Sequence, residues 1–164
     1  MAHIVKAPAD DTSSPYNRSI FLAGSIDMGK AENWQERIER ELDGFSNITI
    51  YNPRRDDWDS SWVQDISNPQ FKQQVSWELA HLEKADLIVF YFDPAGPAPI
   101  TLLELGLFGL SGDVVVCCPE GYWRRGNIQV VCDRYNILLV DNIDQFVDII
   151  VEWADTTIEV INEE

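Results

Sequence analysis

Asp86-Leu87-Ile88-Val89-Phe90-Tyr91-Phe92 is a short, nearly unbroken apolar run, closed by Asp86 on one side and Asp93 on the other. A strand with one wet face alternates apolar and polar residues. This run does not alternate, so both of its faces must be covered, as in parallel sheets flanked by helices. The neighbouring segments supply those helices. Upstream, Ser67-Asn68-Pro69 is a helix start, and Phe71, Val75, Leu79 and Leu82 keep helical spacing to about residue 84. Downstream, a Pro/Gly-rich loop from Asp93 to Pro99 leads into a second apolar helix over about 99–110.

The same alternation continues outward. Towards the C-terminus come a strand at 113–118, a loop at 119–127, a short helix at 128–135, a strand at 137–140 and a helix at 143–154. Towards the N-terminus, Asn47-Ile48-Thr49-Ile50-Tyr51 reads as a strand. It follows a helix over 31–43, marked by Trp34, Ile38, Leu42 and Phe45. Before that helix, Ser19-Ile20-Phe21-Leu22-Ala23 is a strand turned by Gly24-Ser25. Strands alternating with helices make an α/β domain, here a single flavodoxin-like doubly wound sheet of about five parallel strands with helices on both faces. The domain spans 18–158. Residues 1–17 read as a flexible arm and 159–164 as an acidic tail. Ligands of such sheets bind beyond the carboxyl ends of the strands. That directs attention to the loops at 24–30, 52–68, 93–99 and 119–127.

Composition narrows the partners. The 164 residues carry 28 acidic and 12 basic side chains, a net charge of −16, and 45% apolar residues with six Trp, five Tyr and seven Phe. A core is affordable, and a nucleic-acid polymer or an acidic membrane surface is a poor partner for this charge. No apolar run approaches the ~18 residues of a membrane span, and the N-terminus lacks the pattern of a signal peptide. Cys117, Cys118 and Cys132 are odd in number and two are adjacent, so they do not form a disulfide framework. A reducing cytoplasm is expected. Only His3 and His81 exist, so no histidine-rich metal site is expected.

Within the loops, Gly24-Ser25 is either a tight strand-to-helix turn or a place where a small ligand lies against the backbone. The segment 53–68 is too polar for a core element and too aromatic for a linker, and long loops of this kind are often functional. Asp56, Asp57 and Trp58 offer an aromatic face and a hydrogen-bond acceptor, which suits a heterocyclic base. Alternatively, Trp58 and Trp62 stick the loop down and Arg54-Arg55 pair with the aspartates. Trp123 and Asn127 in the fourth loop read as core or as interface residues. Glu104 stands out as the sole charge between Asp93 and Asp113. A carboxylate costs several kcal/mol to bury among leucines unless it is used or paired. The alternative is a partly exposed position near the positive end of a helix. Glu78, in Ser76-Trp77-Glu78-Leu79, lies beside the apolar stripe of its helix and is either a second working carboxylate or a solvated residue.

Four segments together resemble the nucleoside 2-deoxyribosyltransferase superfamily, most closely its divergent transferase-like branch. They are Phe21-Leu22-Ala23-Gly24-Ser25-Ile26, Asn52-Pro53-Arg54-Arg55-Asp56-Asp57-Trp58, Trp77-Glu78-Leu79 with Ala85 to Val89, and Leu103-Glu104-Leu105-Gly106. The similarity runs over about 18–140. It implies a flavodoxin-like fold, cleavage of the N-glycosidic bond of 2′-deoxynucleosides without metal or cofactor, and a homo-oligomer with active sites shared between subunits. Nucleosides and nucleobases are then the partners. By the resemblance, Glu104 matches the nucleophile, and Glu78 matches the acid/base aspartate with one extra methylene. Asp93 matches, approximately, a second aspartate on the base side. Asp57 falls at a polar base-binding position, and Asn127 at an asparagine lent by the neighbouring subunit. Phe21 replaces a tyrosine whose hydroxyl orients the nucleophile. The implied activity is transfer of deoxyribose between bases. The alternatives are a hydrolase of deoxynucleosides or their 5′-monophosphates, and a non-catalytic nucleotide-binding module.

Overall fold

A computed structural model describes residues 1–26 and 33–161 of the chain. In chain order the elements are β1 (His3–Lys6), β2 (Arg18–Gly24), α1 (Trp34–Glu41), β3 (Ile48–Asn52), α2 (Pro69–Lys84) and β4 (Leu87–Tyr91). Then follow α3 (Pro99–Phe108), β5 (Asp113–Cys117), α4 (Arg125–Tyr135), β6 (Leu138–Val140) and α5 (Ile143–Ile161). The strands form one sheet in the order β1-β3-β2-β4-β5-β6, and every pair is parallel. The chain thus winds outward from β2 to β3, then reverses to β4. The switch point lies between β2 and β4, where an open α/β sheet forms its ligand crevice.

The two faces of the sheet are read directly from the period of two along β2. Ile20 and Leu22 pack on one face with Trp34, Ile38 and Leu42 of the α1 region and Phe146 and Ile150 of α5. Phe21 and Ala23 pack on the other with Trp77 and Leu82 of α2, Leu105 of α3 and Ile128 of α4. All five residues of β4 are buried, as its unbroken apolar run requires. Each large side chain so buried contributes about 1.5–3 kcal/mol.

Helix starts follow local chemistry. Asn68 accepts hydrogen bonds from the Gln70 and Phe71 N–H groups, and Pro69 occupies the first turn, where its missing N–H costs nothing. Asn33 caps α1 through the Glu36 N–H. No described helix is long and apolar enough to cross a membrane.

The sheet has six strands rather than about five, because residues read as a flexible arm contain β1. His3 to Lys6 pair with Thr49 to Asn52. Four residues at a sheet edge are too short to show a period, and their signal drowns in the polar stretch around them. The rest of the segment is tied down as well. The Trp77 indole N–H donates to the Ala9 carbonyl at 2.8 Å, and Asp11 accepts from the Tyr51 hydroxyl at 2.8 Å and from Lys84 at 2.7 Å. Two further boundaries differ. α4 begins at Arg125, so Asn127 lies on a helix and not in the loop before it. α5 runs on to Ile161, into the span read as a tail.

Candidate active site

The crevice at the switch point is stitched by Ser25. Its N–H donates to the Tyr91 carbonyl at 3.1 Å, and its hydroxyl oxygen accepts from the Asp93 N–H at 3.1 Å. Gly24 has a packing reason and needs no ligand: a Cβ there would lie 2.6 Å from the Trp34 ring and 2.6 Å from the Tyr91 carbonyl oxygen. The Trp34 indole N–H in turn donates to the Ser25 carbonyl at 3.3 Å. Of the first loop, Asp27, Met28, Gly29 and Lys30 lie outside the described residues.

Two carboxyl groups, on α2 and α3, lie close enough for the charge of one to act on the other. Glu104, in the second turn of α3, is only 8% exposed. Burial, reinforced by the negative charge of Glu78, pushes its carboxyl up to about 8. Glu78, on α2, is partly buried, and burial also raises it. One contact opposes that rise: the Gln74 amide donates to Glu78 Oε1 at 2.8 Å. Burial thus disfavours the charged form of both carboxyl groups, and most strongly that of Glu104. Phe21, in the core cluster on the same face of the sheet, is fully buried, its ring centroid 6.3 Å from that of Trp77.

The other expected residues fall at varying distance from this pair. Asp93 is buried, and one carboxylate oxygen accepts the Ala95 N–H at 2.8 Å, which builds the turn into the third loop. That loop reaches α3 through Ala98, whose φ of 41° is left-handed and strained for a residue with a Cβ. The Pro97 carbonyl is held by the Tyr122 hydroxyl at 2.6 Å and the Trp123 indole N–H at 3.0 Å, so the fourth loop braces the third. Tyr122 is core, whereas the Trp123 ring remains 57% exposed with Arg124 over its face. Asn127 is exposed on α4. Asp57 is exposed and paired with Arg55 at 2.7 Å, and Trp58 packs edge-on against Trp62 with centroids 5.0 Å apart. The structure therefore brings Glu104 and Glu78 together. It gives Asp57 an arginine partner within its own loop.

Gln74, whose amide donates to Glu78, is not singled out by the sequence reading. Its position four residues before Glu78, on the same helix face, was the available signal. His81 is another buried polar group that was passed over. It stacks on Trp77 with centroids 4.0 Å apart, bonds the Trp77 carbonyl through Nδ1 at 2.7 Å, and is kept neutral by burial. Among the described residues, no group of three or more His, Cys, Asp or Glu side chains is placed to hold a metal ion.

Comparison with known proteins bears on the fold and the family. The fold is similar to the crystal structure of a conserved protein from Enterococcus faecalis V583, with a TM-score of 0.55 and 14% identity over 80% of this chain and 96% of that one. Among curated proteins, none matches the chain in sequence. The family model described as "nucleoside 2-deoxyribosyltransferase like" matches residues 17–122. The match takes in β2 to β5 with Glu78, Asp93 and Glu104, and it stops short of Asn127. The chain belongs to the nucleoside 2-deoxyribosyltransferase-like family.

Proposed function

We propose that the protein is a nucleoside 2′-deoxyribosyltransferase working through Glu104 and Glu78. The observation that carries this reading is the coupled pair of buried carboxyl groups on α2 and α3. Breaking the C1′–N bond of a deoxynucleoside builds positive charge on the sugar. That charge favours the ionised form of Glu104, which passes its proton to Glu78 as its oxygen bonds to C1′. The electron pair of the broken bond goes to the base nitrogen, which takes a proton from Glu78. In the second half, an incoming base attacks C1′, loses its proton to Glu78 and frees Glu104. Ser25, Gly24 and Asp93 shape the crevice floor in this scheme, and Trp58 offers the base an aromatic face. Asp57 can reach a base only by releasing Arg55.

The same reading makes the protein a homo-oligomer. Ile100, Leu103, Leu107 and Leu110 recur at helical spacing along α3 and just past its end, and each is more than half exposed. The outer face of α3 carries no charge, since Glu104 is buried. Two copies of a chain of net charge −16 can meet there without like charges in contact. Trp123 and Asn127 follow on the adjacent loop and helix, which suits an asparagine lent across an interface. The three cysteines are free and buried, in keeping with a reducing cytoplasm.

Phe21 favours a second reading, a nucleotide-binding module of the same fold, because no hydroxyl at that position orients Glu104. Incubation with deoxyinosine and adenine, followed by chromatography, separates the readings. Deoxyadenosine supports the transferase, hypoxanthine alone a hydrolase, and unchanged substrate the binding module.

A further inference from the structure

The Gln74 side chain is 5% exposed and has little freedom. Its amide nitrogen donates to the Pro53 carbonyl at 2.9 Å and to Glu78 Oε1 at 2.8 Å. Both partners are oxygens that accept. Turning the amide over would set its own oxygen against two acceptors, so the orientation is fixed. The consequence is visible at the other end: Gln74 Oε1 is buried without a hydrogen-bond partner. Such an orphan acceptor costs about 1–3 kcal/mol, and a buried polar group left in that state calls for a reason. The reason lies with Glu78. Pro53 belongs to the Asn52-Pro53-Arg54-Arg55 turn at the end of β3, so the lock ties the α2 carboxylate to the sheet through an element outside its own helix.

We propose that Gln74 is the positioning residue of the acid/base group: an amide clamped by the Pro53 carbonyl that orients the Glu78 carboxyl and keeps it ready to give up its proton. The role rests on the catalytic reading of Glu78 given above. A carboxylate that accepts an N–H is stabilised relative to the acid. Burial acts the other way. Without the clamp Glu78 would hold its proton too tightly to pass it to a departing base. Among the described residues, the groups that bear on Glu78 are Gln74 on its own helix and Glu104 on α3. The two arginines that follow Pro53 have other partners, Arg55 with Asp57 and Gln73, and Arg54 through Nη2 with Gln35, while Arg54 Nε is buried without one.

The test uses Gln74→Met, which keeps length and volume but removes both N–H donors. The Glu78 carboxyl is followed by carbon-13 NMR through a pH titration of the free protein, with Glu78→Gln assigning the signal. The titration midpoint of Glu78 is expected to rise by about half to one pH unit. This readout needs no turnover, so it stands even if the transferase reading fails. With an active enzyme, kcat is expected to fall about tenfold for poorly leaving bases, KM to stay within about twofold, and the pH profile of kcat to shift with the Glu78 midpoint. In the Glu78→Gln background, Gln74→Met should add no further loss. Gln74→Asn, polar but too short to span both partners, serves if the methionine variant does not fold. A folded variant whose Glu78 midpoint does not move overturns the proposal. So does an equal loss in the Glu78→Gln background. Full activity of Glu104→Ala and Glu78→Gln would instead overturn the transferase reading, leaving the titration to decide the clamp.

Discussion

Replacing Glu104 by Gln should make the protein more stable and less active, and the stability gain should grow with pH. The structure supplies the magnitude. Burial and Glu78 raise the Glu104 carboxyl from 4.5 to about 8. A carboxyl raised in the folded state binds its proton more tightly there than in the unfolded chain. Its stability contribution is therefore fully present below pH 4.5 and is lost as pH rises through about 8. The difference of about 3.5 pH units, at 1.36 kcal/mol each, sets a ceiling of about 5 kcal/mol. At pH 5 less than about 1 kcal/mol of it has been lost, at pH 7 about 3, and at pH 9 nearly all. Glutamine has the same shape and never ionises. Urea unfolding of wild type and Glu104→Gln at these three pH values should show the variant gaining over wild type by about 2–4 kcal/mol between pH 5 and pH 9. Glu78, raised in the same direction, is present in both proteins and largely cancels. A gain that is the same at pH 5 and pH 9 would refute the reasoning, because the benefit would then come from packing and not from charge. Turnover should fall by orders of magnitude in the same variant if Glu104 is the nucleophile.

Gly24→Ala should destabilise the protein by about 1–3 kcal/mol in urea unfolding, because the new methyl meets the Trp34 ring and the Tyr91 carbonyl, neither free to retreat. Asp11→Asn should cost about 1–2 kcal/mol by breaking the Lys84 contact and weakening the Tyr51 bond, with faster proteolysis of residues 7–11 as the accompanying sign. Burial works to raise the Asp11 carboxyl, but Lys84, Ser13 and Tyr51 outweigh it and hold it well below the usual carboxylate range. The stability it contributes is therefore present above about pH 4 and is lost as pH falls further, so the asparagine penalty should shrink in acid. Leu103→Glu should turn an oligomer into a monomer in sedimentation with an unchanged circular dichroism spectrum, since the residue is 58% exposed in the single chain. Mixing inactive Glu104→Ala with inactive Asn127→Ala should restore part of the activity if sites are shared; no recovery in a proven mixed oligomer would count against Asn127.

How far the sequence could be read depended on how local each signal is. β4 was legible because burial on both faces writes itself into consecutive residues. α2 was legible because Asn68-Pro69 and a four-residue stripe are contained within one helix. β1 was not, because its only justification is a partner, β3, more than forty residues away. Glu104 announced itself by isolation among leucines, a one-dimensional anomaly. Gln74 carries no charge and sits among other polar residues. Nothing in the chain says that its amide will find the Pro53 carbonyl, 21 positions back. Asp57 supports two readings in the chain: an aspartate beside a tryptophan suits a heterocyclic base, and Arg55, two residues away, is the partner that it has in the structure.

The position of Phe21 adds a constraint that ties these residues together. A tyrosine there would bring a hydroxyl to the α2/α3 side of the sheet, where it could donate to Glu104 and favour the ionised form. Phenylalanine leaves Glu104 with burial and a like-charged neighbour, the two influences that push its carboxyl up to about 8. At neutral pH Glu104 therefore holds its proton and must pass it on before it can attack. The clamp on Glu78 helps, since the Gln74 N–H favours the ionised Glu78 that would take that proton. Restoring the hydroxyl therefore has a definite expected result. Phe21→Tyr, if the core admits the extra oxygen, should lower the Glu104 midpoint in a carbon-13 titration and move the acid limb of activity to lower pH. Phe21 is fully buried, so the same change should cost stability. A tyrosine variant that folds and leaves the Glu104 midpoint where it was would show that the ring at position 21 has no hold on the nucleophile. The proton on the pair would then be placed by α2 and α3 alone.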